Sequence, residues 1–105
     1  MNKIAVLNDA LRRTFSGGKV VMTAGVAALP EDVLAGVLGR VRTFNEFTPD
    51  NDPHGEHDFG SFALDRQTYF FKLDYYNKEM DGGSEDPTDP KETMRVLTIM
   101  RADEY

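Results

Sequence analysis

Residues 48–60 read TPDNDPHGEHDFG, and this stretch divides the chain in two. Pro49 and Pro53 fix φ and withhold a backbone donor, Asp50 and Asn51 favour Asx-turns, and Gly55 suits a turn position. The segment is therefore a loop. Ahead of it apolar residues recur at helical spacing around one short strand. Behind it they read as strands. The loop also holds both histidines, His54 and His57, and four carboxylates with no basic residue.

Upstream, Ile4, Leu7, Leu11 and Phe15 fall at three- and four-residue steps and predict a helix over 3–15 with these residues on its buried face. Ser16-Gly17-Gly18 is expected to stop it through a glycine cap. No GxxxxGK[ST] or GxGxxG pattern follows, so the glycine pair does not read as a phosphate loop. Residues 19–24 (KVVMTA) form a short strand, rich in β-branched residues. A second helix is expected over 30–44. Pro30 stands at its start, Glu31 and Asp32 in its first turn, and Leu34, Val37, Leu38, Val41 and Phe44 along its buried stripe. Gly36 and Gly39 weaken this helix and are expected to permit close packing on the sheet.

Downstream, 59–65 and 68–76 are strands joined by a turn at 65–67, a connection short enough to require antiparallel pairing. Tyr69, Phe71, Leu73 and Tyr75 alternate onto one face. Residues 77–93 are turn-rich, with one helical turn expected at 91–93. Residues 94–101 (MRVLTIMR) are the last strand and 102–105 a tail. The order α-β-α-β-β-β reads as a single α+β domain, 1–105, with a mostly antiparallel four-stranded sheet packed on one face by two helices. Phe70, Tyr76, Met94 and Met100 fall toward the opposite face. That apolar face is expected to be covered by a second copy, in a homodimer, or by another partner.

Of the 105 residues 40% are hydrophobic, a globular composition. There are no cysteines, which excludes disulfides and thiolate metal sites. The apolar run after Met1 is too short for a secretory core or a membrane span. A soluble, cytoplasmic protein is expected. The net charge of −6 argues against direct nucleic-acid binding, which needs clustered Lys and Arg. The charge is uneven. In the loop before the hairpin stand Glu46, Asp50, Asp52, Glu56 and Asp58. After it stand Glu79, Asp81, Glu85, Asp86, Asp89 and Glu92 against Lys91. A hairpin brings both loops to the same end, where the carboxylates crowd one edge and focus a negative field.

Five blocks, LNDALRRT (7–14), TAGVAALP (23–30), FTPDNDPHGEHDFG (47–60), KLDYY (72–76) and RVLTIMRADEY (95–105), together resemble an uncharacterised family of small bacterial proteins, a domain of unknown function frequently carried by plasmids and prophages. The resemblance assigns no catalytic residue. It implies an aromatic residue in many members at the position of His54, and a setting in which a small protein acts on host machinery.

Two functional expectations follow. The first is a non-enzymatic interaction protein without a cofactor. It would bind a basic protein surface through Asp50, Asp52, Glu56, Asp58, Asp81, Glu85, Asp86 and Asp89. With the mobile-element resemblance, its concrete form is an anti-CRISPR or anti-restriction nucleic-acid mimic. The alternative is a divalent-metal site or metal-dependent hydrolase built on His57, Glu56, Asp58 and His54, with Asp52 assisting. The spacing is not that of HEXXH on a helix, nor of an EF-hand loop. Turn chemistry alone also accounts for the loop. Ser61 and Ser84 lack a GxSxG context, so no catalytic nucleophile is expected.

Overall fold

The computed structural model describes residues 2–105. Three helices, α1 (Lys3–Thr14), α2 (Ala24–Ala27) and α3 (Glu31–Thr43), accompany four strands, β1 (Lys19–Met22), β2 (Phe59–Leu64), β3 (Gln67–Tyr76) and β4 (Met94–Arg101). The strands form one sheet in the order β1-β4-β3-β2. β2–β3 and β3–β4 are antiparallel, whereas β1 joins β4 in parallel. The fold is α+β with a mostly antiparallel four-stranded sheet.

Inward-facing side chains pair by the two-residue period of the strands. Tyr69, Phe71 and Leu73 of β3 and Leu97 and Ile99 of β4 meet Leu11, Val26, Val37 and Val41 from the three helices in one buried cluster. All three helices thus pack on the same side of the sheet. Gly36 lets α3 approach β2: a Cβ there would stand 3.1 Å from Leu64 Cδ2. Gly39 meets nothing within 4 Å, so it lies off the sheet and plays no packing part.

Several details depart from the sequence reading. Of the expected face of α1, Leu11 is fully buried, Phe15 packs against the core and Ile4 and Leu7 are half-buried, while Ala5, Asn8, Asp9 and Arg12 are the other buried positions. The polar members are satisfied by partners from other elements, which apolar spacing alone does not reveal. The cap of α1 is Phe15 itself, at φ 57 with its N–H on the Leu11 carbonyl, ahead of the glycine pair. β1 stops at Met22, because Ala24–Ala27 already closes a helical turn capped at Thr23, separate from α3. The hairpin turn is two residues, Asp65 and Arg66, both at positive φ as a type I′ turn requires. Residues 91–93 are turn, not helix, and the tail instead winds into a 3₁₀ turn at Ala102–Glu104. Glu104 holds that turn: its carboxylate accepts from Thr23 Oγ1 at 2.6 Å, Gly25 N at 2.8 Å and Arg101 N at 2.9 Å. These bonds place its carboxyl below the ordinary range, the Thr23 hydroxyl contributing most.

Candidate functional site

Loops 46–58 and 77–93 emerge at the same end of the sheet, beside the N-terminal half of α1. Two linked polar networks beneath them fix their shape. The first begins at Asp9. Its carboxylate accepts from Arg12 Nη2 at 3.0 Å, and His57 Nδ1 lies 3.0 Å from both of its oxygens. An ionised carboxylate only accepts, so Nδ1 carries the ring proton and donates it. The His57 Nε2 then looks toward Asp52 Oδ2, 3.8 Å away. The imidazole is stacked on the Phe47 ring, 4.0 Å between centroids and 3° between planes. His57 sits at φ 56, and the Asp52 Oδ1 that accepts its N–H and that of Glu56 holds this left-handed turn together.

Arg12 is fully buried. Its Nη1 donates to the carbonyls of Val41 at 2.8 Å and Phe44 at 2.7 Å, which caps the C-terminal end of α3. The guanidinium lies 5.4 Å from the ring centroids of Phe47 and Phe71. Burial lowers its pKa and the Asp9 hydrogen bond opposes that shift. Its Nε is buried without a partner among the described residues. A small cleft of about 140 Å³ opens beside Asp9, Arg12, Arg13, Phe47 and His57. Beside it both Arg12 Nη atoms and His57 Nδ1 are already engaged, which leaves Arg12 Nε and His57 Nε2 as the unbonded polar atoms of the pair.

The second network starts from Asn8, also fully buried. Its Nδ2 donates to the Glu56 carbonyl at 3.0 Å and the Tyr75 hydroxyl oxygen at 2.8 Å, while its Oδ1 accepts from Arg95 Nε at 2.7 Å. Tyr75 in turn donates to Glu56 Oε1 at 2.9 Å. Burial, with the Glu56 carboxylate adding to it, pushes the Tyr75 phenol far above its ordinary pKa, so it remains a donor. Arg95 also donates through Nη2 to the Pro87 carbonyl. One buried guanidinium therefore ties loop 77–93 to α1, and through Asn8 to loop 46–58. Within loop 77–93, Thr93 donates to the Asp86 carbonyl at 2.8 Å.

The residues singled out in the sequence divide accordingly. Asp52 is 8% exposed and Glu56 and Asp58 are half-buried. Asp52 and Glu56 point their carboxylates into the networks, which removes Asp52 from any binding surface and restricts Glu56. Burial raises the Asp58 carboxyl above the ordinary range, with Glu56 and Asp52 adding to the effect. Asp50, Asp81, Glu85 and Asp86 are exposed and Asp89 is half-buried. Asp86 is held ionised by donors from Thr88 and feels the charge of Lys3. His54 is exposed, with its carbonyl accepting from Asn2 Nδ2 at 3.2 Å.

His54, Glu56, His57 and Asp58 do not converge as a ligand group. Among the described residues, the carboxylates whose oxygens come within 4.8 Å of one another are Asp86, Asp89 and Glu92. The His57 partner that apolar periodicity hid is Asp9. Polar residues sharing one helical face, at 8, 9 and 12, were the available signal.

A family match is consistent with the same frame. Residues 22–104, from the end of β1 to the C-terminal turn, match the family described as protein of unknown function DUF3768. The chain belongs to the DUF3768 family. No curated protein and no solved structure shows a significant match. The family match covers the central loop, the β2–β3 hairpin and β4, and so His57, Tyr75 and Arg95. Asn8, Asp9 and Arg12, which complete both networks in this DUF3768 protein, precede it. No helix is long and apolar enough to cross a membrane among the described residues.

Proposed function

We propose that this DUF3768 protein is a non-enzymatic interaction protein that binds a basic protein surface through the exposed carboxylates of its two end loops. The observation that carries this reading is the division of labour among the acids. Asp52 and Glu56 are spent on internal bonds, whereas Asp50, Asp81, Glu85 and Asp86 face solvent from loops pinned by Asn8 and Arg95. Charges on pinned loops lose little conformational freedom on binding, and a clustered negative field accelerates encounter with a basic partner. In this reading His57, held by Asp9 and stacked on Phe47, is a structural residue of the loop. With the mobile-element setting that the sequence resemblance implies, the partner class is a cytoplasmic host defence or DNA-processing protein whose nucleic-acid groove the acidic end enters as a mimic.

Capture from host lysate on the immobilised protein tests this, at low and high salt and in the presence of duplex DNA. The expected partner is retained at low salt, released at high salt and displaced by duplex DNA, since surface charge contacts are screened within a Debye length. Retention that ignores both salt and DNA would refute the mimic.

A further inference from the structure

The sheet ends in two free edges, β1 and β2. A free edge presents unpaired N–H and C=O groups on which another strand can pair, and proteins protect it with short strands, charge, proline or bulges. β1 is four residues long and carries Lys19. β2, FGSFAL, is six residues long without a charge or a proline, and its register against β3 runs from Phe59 to Leu64 without a bulge. The strand itself therefore holds none of these protections except modest length.

Backbone groups of successive residues in a strand point to opposite sides. The Asp58 carbonyl accepts from Leu73 N at 2.9 Å, so Asp58 faces β3. By the two-residue period Gly60, Phe62 and Leu64 face it as well, and Phe59, Ser61 and Ala63 turn their N–H and C=O groups outward. Ser61 and Ala63 are exposed. Among the described residues, the side chain that reaches these outward groups is Arg40 of α3. Its Nη1 donates to the Ala63 carbonyl at 3.1 Å. Its guanidinium carbon lies 5.1 Å from the Phe62 ring centroid, a cation–π contact that holds the head at the edge.

We propose that the β2 edge is a latent self-pairing surface for a second copy of this chain, and that Arg40 keeps it closed. The outward groups allow two β2 strands to pair antiparallel about a two-fold axis at Ser61. Ser61 then exchanges both backbone bonds with Ser61 of the second copy, while Phe59 and Ala63 exchange theirs. A second copy is the occupant because under this axis every outward donor meets an outward acceptor of the same strand, as an isologous contact requires. The small side chains of Ser61 and Ala63 leave room for the approach. Arg40 obstructs it once in each copy, since its donor occupies the Ala63 carbonyl that Phe59 N of the other copy needs. The edge is separate from the exposed carboxylates of the end loops, and the proposal does not depend on the function proposed above.

Sedimentation equilibrium of the full chain over a micromolar series tests this by comparing the wild type with Arg40→Met, which keeps the aliphatic stem and removes the donor. Freeing the Ala63 carbonyl in both copies permits a further hydrogen bond at each end of the pairing. The variant is expected to associate about tenfold more tightly than the wild type, or better. Amide exchange locates the contact. The N–H groups of Phe59, Ser61 and Ala63 exchange freely in the wild type and gain protection in Arg40→Met as its concentration rises. Adding Ser61→Lys to Arg40→Met sets like charges against each other on the axis and is expected to return association to the wild-type level. An Arg40→Met chain that associates no more tightly than the wild type overturns the proposal. So does association that leaves the three amides unprotected, or that Ser61→Lys does not weaken, which is also the behaviour of misfolded protein.

Discussion

Replacing Asp9 with alanine probes the network under the acidic loops. The Arg12 and Asp9 side chains are 1% and 10% exposed, and their 3.0 Å contact joins two charges in the interior. Removing one partner of a buried pair costs about 3–5 kcal/mol, because the other charge stays buried uncompensated. Arg12 keeps the carbonyls of Val41 and Phe44, which favours the lower half of that range. The loss of the His57 Nδ1 bond, at a ring one quarter exposed, adds about 1 kcal/mol. The Arg13 contact at 4.0 Å, with that side chain 61% exposed, adds nothing measurable. Asp9→Ala therefore costs about 4 kcal/mol, a large share of the roughly 5–15 kcal/mol that holds a domain of this size, and lowers Tm by roughly 15 °C. Urea denaturation followed by far-UV circular dichroism measures it. Asp9→Ala combined with Arg12→Ala should cost less than the sum of the two single variants, because each single leaves the other charge buried without its partner. A cost below about 1 kcal/mol for Asp9→Ala, or full additivity in the double variant, would show that the pair carries no structural energy.

Other outcomes follow from the same contacts. Asn8→Ala strands Arg95 Nε and the Tyr75 hydroxyl in the interior and is expected to cost about 2–4 kcal/mol, with faster amide exchange in both loops 46–58 and 77–93; exchange accelerated in only one loop would break the proposed link. Tyr75→Phe costs about 2–3 kcal/mol by thermal unfolding, since the donor to the Glu56 carboxylate and the acceptor for the Asn8 amide are both lost. Asp58→Asn flattens the stability–pH curve at mildly acidic pH. The folded carboxyl is raised, so the folded state holds its proton longer than the unfolded one and stability falls as pH rises through that window; a variant curve as steep as the wild type's would contradict it. The response of Tm to zinc or manganese should be the same in the wild type and in His54→Ala, because His54, Glu56, His57 and Asp58 do not converge and a native-state ligand held by them would otherwise raise it.

Much of the fold was legible because it rests on local patterning. The alternation through Tyr69, Phe71 and Leu73, the Asp65–Arg66 turn and the Pro30 start of α3 each follow from short-range chemistry. The parallel pairing of β1 with β4 was not legible, since it depends on where a strand 75 residues away comes to lie. The polar part of the buried face of α1 was missed for a related reason. Asp9 and Arg12 look like surface residues until His57, Val41 and Phe44 arrive from other elements to satisfy them. The outward face shows a third limit. Met100 falls there as its alternation requires, yet it is only 3% exposed, because neighbouring strands and the C-terminal turn close around it. Within the candidate site, the crowding of loops 46–58 and 77–93 at one end followed from the hairpin. Which acids face inward did not, because Asp52 turns in to hold a left-handed His57 that no spacing rule announces.

Binding is expected to run through the exposed carboxylates of the two end loops, those of loop 77–93 foremost. The most direct measurement is the salt dependence of affinity for the captured partner, comparing the wild type with a variant carrying Asp81→Asn, Glu85→Gln, Asp86→Asn and Asp89→Asn. These amides retain the acceptor oxygens through which Asp81, Asp86 and Asp89 shape the loop, so the fold is kept and only charge is removed. The wild type should bind more weakly with each increase in salt. The variant should bind at least tenfold more weakly at low salt, with a shallower salt dependence. Equal affinities and equal slopes would contradict the claim.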